Sequence, residues 1–367
     1  MADTTIPAEV NRLEAAKSQL AAAITAKGVT VPEAAKLDAY PDYVASIPVG
    51  GSPRTYRVVV GTSTAGWTED DCDYLCTGSN DQAIISQALN DARLFNGGVL
   101  YFLEGGYSFS TSISIPRGNI TLLGADKNST FLNNNTGGTM LSTYSNHFTL
   151  QGFTITDDRT SNSSNRTVRI SGDYFTIRDC NFTNIKVGTL EISGADAFVA
   201  NSNFLSLNCL LDGHNGLKIY NCTGPLEGEN TNTSLCWAQL TGNNILIQNC
   251  FIQGSYQTIK FSSCTGLNIS NNFILNCSVG IYGGSSNTNC NIIGNIIVNP
   301  RSRGIYTFDT TNQYFNISNN IVYAEEETAG SYPIAISGER CVITSNITPG
   351  KEITIMGNRV LIDNNSY

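Results

Sequence analysis

A unit of about 24 residues recurs from residue 118 to the end of the chain, and it limits the possible folds more than any other feature. Its signature is apolar-x-aliphatic-x-[Asn/Gly]-[Asn/Cys]-x-apolar. The first apolar position falls at Ile120, Phe148, Phe175, Phe198, Leu217, Ile245, Leu267, Cys290, Phe315, Cys341 and Val360, at intervals of 19 to 28 residues. Two positions later every residue is aliphatic: Leu122, Leu150, Ile177, Ala200, Ile219, Ile247, Ile269, Ile292, Ile317, Ile343 and Ile362. Four positions later stand Gly, Asn or Asp in nine of the eleven units, the types that tolerate the left-handed conformation of a sharp corner. Five positions later nine of eleven are Asn or Cys: Cys180, Asn203, Cys222, Cys250, Asn272, Asn295, Asn320, Asn346 and Asn365. Stacked coils bring these side chains into one column, where Asn amides bond from turn to turn. A period near 24 with three short strands per repeat predicts a parallel β-helix of about ten coils, roughly 48 Å long at about 4.8 Å per strand.

Composition agrees. Of 367 residues 41 are Asn, which opposes long helices, and only 14% are charged. The net charge of −9 and the lack of a basic stripe argue against a nucleic-acid partner. No apolar run reaches the roughly 18 residues of a membrane span. The start, MADTTIPAEV, lacks the basic and apolar regions of a signal peptide. The 11 Cys are then expected as reduced thiols, most of them stacked inside the coils. No Asp cluster converges on a metal, and no cofactor is expected.

Residues 1–48 differ from the rest. The stretch 8–27 has helical periodicity through Val10, Leu13, Leu20 and Ile24, with Lys17 interrupting, and Gly28 stops it. The same positions fit a and d of a heptad, so the helix either packs on its own neighbours or oligomerises. Further helical pieces are expected around Pro32–Lys36 and Asp42–Ile47. Residues 49–55 read as a linker and 56–117 as an N-terminal cap, with strands at Tyr56–Gly61 and Val99–Leu103 and a helix over Asp81–Phe95. Residues 118–367 form the solenoid. The chain closes on a repeat, NRVLIDNNSY, with no capping element; a partner or trimerisation is expected to cover that end, unless the sequence is a truncation.

The stretch DYLCTGSNDQAIISQALNDARLFNGGVLYFLEGGYSFSTSISIPRGNITLLGA, residues 73–125, resembles the entry segment of pectate-lyase-like right-handed β-helix proteins. Gly78, Asp81, the Gly97-Gly98 pair and Gly106-Tyr107 carry the match. Residues 8–47, with AAKSQLAAAITAKGV and KLDAYPDYVASI, resemble the helical module that opens many phage tail-fibre proteins. The resemblance implies a single-stranded right-handed β-helix of the tail-fibre or tailspike kind. The fold itself serves lyases, glycosidases, tailspikes and adhesins, so activity must be argued from the site.

The strand before each repeat start is the long face that β-helix proteins use for carbohydrate. Strict alternation puts Arg169, Glu191, Asp212, Trp237, Lys260, Tyr282, Tyr306, Ala335 and Thr354 outward in one column. Arg169, Trp237, Lys260, Tyr282 and Tyr306 suit sugar stacking and hydroxyl recognition; the alternative is a solvated face with scattered aromatics. Glu191 and Asp212 on successive coils are the best carboxyl pair for glycoside hydrolysis. A lyase would use Lys260 or Arg169 as base. With His147 and His214 the only histidines, a Ser-His-Asp hydrolase is disfavoured. Three functions follow as expectations. The first is a virion tail protein, assembled in the host cytoplasm as a homotrimer, that binds a host-surface polysaccharide or receptor and joins other tail or baseplate proteins through its N-terminal module. The second is a polysaccharide depolymerase. The third is a structural spacer.

Overall fold

The computed structural model describes residues 6–25, 31–32, 34–36, 39–40, 56–157, 166–183, 190–204, 207–209, 215–224, 236–254, 256–324 and 332–367. The chain divides into two compact units, Met1–Arg54 and Thr55–Tyr367. In the first, helix α1 covers Ile6–Thr25. Ile24 is buried against Ala35 and Tyr40, whereas Val10, Leu13 and Leu20 are exposed. Asp42–Ile47 lies outside the described residues.

The second unit is a right-handed parallel β-solenoid of about ten coils. Each coil runs through three sheets in turn, and at Asn203 and Thr223 it meets the second sheet only as an isolated bridge. Sheet 1 has 14 strands, sheet 2 has two blocks of four, and sheet 3 has 11. One coil shows the plan: Asn268–Ser270 in sheet 1, Phe273–Leu275 in sheet 2, Val279–Gly283 in sheet 3, then Asn291–Ile293 back in sheet 1. The inward aliphatics align coil on coil, Ile247 to Ile269 to Ile292 to Ile317 to Ile343, and all five are buried. Each such side chain contributes about 2 kcal/mol of burial, so a thin column suffices as core.

The corner from sheet 1 to sheet 2 follows from residue type. Asp179, Asn201, Asn221, Asn249, Asn271 and Asn319 take φ of 49–56°, the left-handed region. The next residue points inward and forms the ladder. Asn272, Asn295, Asn320, Asn346 and Asn365 are joined by N–H and Nδ2 donors to the next coil's Oδ1 at 2.9–3.0 Å. Upstream the column continues through Cys250, Cys222, Ser202 and Cys180, so the polar ladder grades into small thiols.

Here the structure corrects the repeat frame at one coil. Ala197 and Val199 are buried and aligned with Phe175 and Ile177, while Phe198 and Ala200 face outward. The ladder residue is therefore Ser202 and not Asn203. A one-residue slip inverts every side chain of a strand.

The cap closes the first coils. Strand Arg57–Thr62 pairs in parallel with Tyr74–Cys76 and Gly98–Phe102. Helix α2, Gln82–Leu89, buries Ile85, Ala88 and Leu89 in the same core cluster as the coils. The buried Asp81 carboxylate accepts from the backbone N–H of Thr77, Gly78 and Ser108 at 2.8–3.1 Å, which ties the turn before α2 to the coil beneath. Gly97 (φ 95°) must be glycine: a Cβ would lie 2.5 Å from Asn119 Cβ.

No disulfide links the ten cysteines whose side chains are described, and eight of them are buried. His147 sits at a corner with φ 58°, its ring stacked on Tyr174 at 5.0 Å. His214 lies outside the described residues.

Candidate functional site

Register defines the outward column of sheet 3. It runs Ser114, Ser142, Arg169, Glu191, Asn208, Gln239, Lys260, Tyr282, Tyr306, Ala335 and Thr354. Arg169, Glu191, Lys260, Tyr282 and Tyr306 stand where alternation predicts them. Two others do not.

The first is Trp237. It is 0% exposed, its ring stacks on Phe204 at 4.9 Å, and its Nε1 donates to Phe204 O at 3.2 Å. It cannot meet a sugar, and Gln239 takes the outward place. The cause is a corner at the start of five successive sheet-3 strands, where two successive residues point inward: Trp237-Ala238, Thr258-Ile259, Gly280-Ile281, Gly304-Ile305 and Pro333-Ile334. Strict period two fails at that corner. The second is the coil after Glu191. The residue in register with Glu191 is Asn208, an amide, and Asp212 lies outside the described residues.

Glu191 is engaged by its other neighbour. Its Oε1 lies 2.9 Å from Arg169 Nε, and its Oε2 accepts from Arg169 at 3.4 Å. Both side chains are partly exposed, so the pair adds at most about 1 kcal/mol to stability. Among the described residues of the outward column Glu191 is the sole carboxylate, and Asp212, its expected partner, lies outside them. Nor do three His, Cys, Asp or Glu side chains of the described residues converge as metal ligands.

The downstream coils carry a denser cluster. Tyr282 and Tyr306 meet edge to face at 5.6 Å, and Tyr306 meets Phe308 at 6.2 Å. Arg303 stands over the Tyr306 ring at 4.0 Å, and Phe308 is 61% exposed. Tyr256 and Tyr332 are exposed beside them. Partial burial pushes the Tyr282 phenol above its ordinary pKa, with Tyr306 adding to the shift and Arg303 opposing it. It therefore remains a neutral hydroxyl, able to donate and accept. Lys260 completes the row one coil before Tyr282. Apolar ring faces, phenol hydroxyls and two cations on one partly exposed strip can stack on pyranose rings and pair with hydroxyl or acidic groups.

Arg303 is missed by simple alternation because it precedes the inward pair Gly304-Ile305, whereas Phe308, two residues after Tyr306, keeps the alternation and lies just past the strand end. The signal that could find them is the Arg-x-x-Tyr-x-Phe order itself, read across the corner.

No protein-family model matches the sequence, and a search of curated proteins finds no match. Solved structures do match. The A-module of mannuronan C-5 epimerase AlgE6 from Azotobacter vinelandii aligns with a TM-score of 0.52 at 14% identity, over 79% of this chain and 97% of that one. An alginate lyase from Paenibacillus sp. aligns with a TM-score of 0.50 at 12% identity, over 83% and 99%. ORF18 of Geobacillus virus E2 gives 0.46 at 13% identity, over 88% and 66%. At such identities the likeness is one of fold: this chain is a right-handed parallel β-helix, similar in architecture to the epimerase module and the lyase.

Proposed function

We propose that this protein binds a polysaccharide along sheet 3, as a tail-fibre or tailspike-like virion component that attaches to a host-surface glycan or receptor. The observation that carries the reading is the cluster of half-buried Tyr282, Tyr306, Arg303 and Lys260 with exposed Phe308 on successive coils. Such a strip lies along a chain polymer and binds by stacking and hydrogen bonds, with no covalent step. The solved β-helix neighbours named for mannuronan and alginate support a polysaccharide as the ligand class. The virion reading rests on the tail-fibre-like residues 8–47. In it, α1 presents Val10, Leu13 and Leu20 to other copies or to tail proteins, and three chains assemble.

Cleavage of the bound polymer is the second reading, favoured by the Glu191 carboxylate on the same face. Affinity electrophoresis in gels containing host-surface polysaccharide tests binding. Tyr306→Ala and Lys260→Ala are each expected to weaken retention several-fold, since one stacked ring is worth about 1 kcal/mol. Unchanged retention in both variants sinks the reading. A reducing-end assay on the same polymers separates the two: product formation that Glu191→Gln abolishes establishes cleavage.

A further inference from the structure

A second face of the solenoid carries a depression that does not belong to sheet 3. On sheet 1 the strands Thr176–Arg178, Phe198–Ala200, Lys218–Tyr220 and Leu246–Gln248 lie side by side. Their outward column reads Gln151, Arg178, Ala200, Tyr220, Gln248. Ala200 is the one short side chain in that row, and it forms the floor of a groove of about 660 Å³. This volume falls within the 300–1,000 Å³ typical of small-molecule sites.

The walls have a definite chemistry. Phe198 and Tyr220 stand 5.7 Å apart with their planes inclined at 42°, two apolar faces opening into the groove. Arg178 and Lys218 line it and are exposed. Arg178 spends only Nε, on Gln151 Oε1 at 2.9 Å, and the Lys218 ammonium makes no ion pair with a described residue. Along the corner run Asp179, Asn201 and Asn221, linked amide to oxygen at 3.3–3.4 Å. Their backbones are fixed at φ 49–54°, so this polar rail is set before any ligand arrives. Two cations against one carboxylate make the groove locally positive on a chain whose net charge is −9.

We infer that this groove is a separate binding site for an acidic saccharide: sugar rings lie on Phe198 and Tyr220, the acid group meets Arg178 and Lys218, and hydroxyls bond to the Asn rail. The acid is a carboxylate or a phosphate, and both fit a guanidinium beside an ammonium. The inference stands independently of sheet 3.

The test uses the full chain and a glycan panel in which uronate-, sialate- and phosphate-bearing oligosaccharides sit beside their neutral parents. Calorimetry follows on each acidic member bound. Ala200→Gln fills the floor with the residue native to the same column at Gln151 and Gln248, so the fold is preserved. The expected result is binding of one acidic class over its neutral parent, weakened at least tenfold by Ala200→Gln and by Lys218→Ala. The class bound names the acid group. The inference is overturned if no acidic member binds above its neutral parent. It is equally overturned if binding survives Ala200→Gln, or if only Tyr306→Ala removes it, which would assign the ligand to sheet 3 and leave the first reading standing.

Discussion

Asn320 shows how much one ladder residue holds. Its Nδ2 donates to Ile292 O at 2.8 Å and Asn346 Oδ1 at 3.0 Å, and its Oδ1 accepts from both N and Nδ2 of Asn295 at 3.0 Å. All of this is buried. Asn320→Ala strands donors and acceptors on two coils, each costing about 1–3 kcal/mol. A loss on the order of 3 kcal/mol in urea unfolding is expected, and a loss under about 1 kcal/mol would mean that the ladder adds little beyond packing. The thiols act differently. Burial pushes Cys180, Cys277 and Cys290 up to about 12. A folded-state pKa above the unfolded value of about 8.5 holds the proton on in the native state. That stability is complete below about pH 8.5 and is lost as pH rises toward 12. The melting temperature is therefore expected to be level from pH 7 to 8.5 and to fall above about pH 9. Cys290→Val should reduce the slope; an identical slope in the variant would exclude the thiol as its source.

At the scale of elements, the cap depends on one carboxylate. Asp81→Ala removes the acceptor of three backbone N–H groups, and several kcal/mol of local stability go with it. Hydrogen exchange should show α2 (82–89) losing protection while the sheet-1 amides near Ile269 and Ile292 keep theirs. Equal loss in both places would contradict a cap that opens by itself. Asp81 is legible in the sequence because a turn, a helix and a Gly-Gly strand follow in fixed order. The coil period and most of the ladder are legible for the same reason: corner chemistry demands Asn, Asp or Gly at one position. What is not legible is the phase of a strand where the corner is ambiguous. At 197–204 both Ala197 and Phe198 offer an apolar start, and the choice decides whether Phe198 is core or groove wall. At Trp237 the size of the residue decides: the ring packs flat on Phe204, and the Trp237 ring approaches within about 3.0–3.2 Å of any Cβ built at Gly224, so this coil is fitted around an inward indole. Pair complementarity across coils fixes such positions, and a single period carries no trace of it. The groove on sheet 1 was hidden by the first ambiguity and the true sheet-3 column by the second.

Across the whole molecule, two surfaces remain that a single chain does not cover. Val10, Leu13 and Leu20 lie exposed along α1. On the solenoid, sheet 2 changes character along its length. One outward column is polar at Asn181, Asn203 and Thr223, then apolar at Phe251, Phe273, Ile296, Ile321 and Ile347, with the two Phe rings stacked at 5.5 Å. Exposed apolar strips of this kind are interfaces more often than free surface. The proposed three-chain assembly uses α1, and light scattering on the full chain is then expected to give three times the 39.4 kDa of one chain. A version starting at Gly50 should fall to a single chain. If the shortened chain keeps the full mass number of copies, the sheet-2 strip is the contact, and Ile296→Lys should dissociate it by placing an ammonium in an apolar interface. If the full chain is itself monomeric, α1 does not assemble these chains, and the strip on sheet 3 must reach its polysaccharide without the avidity of three copies. In that case the affinity measured in the gel assay for one chain is the whole affinity, and the Tyr306→Ala loss reads it directly.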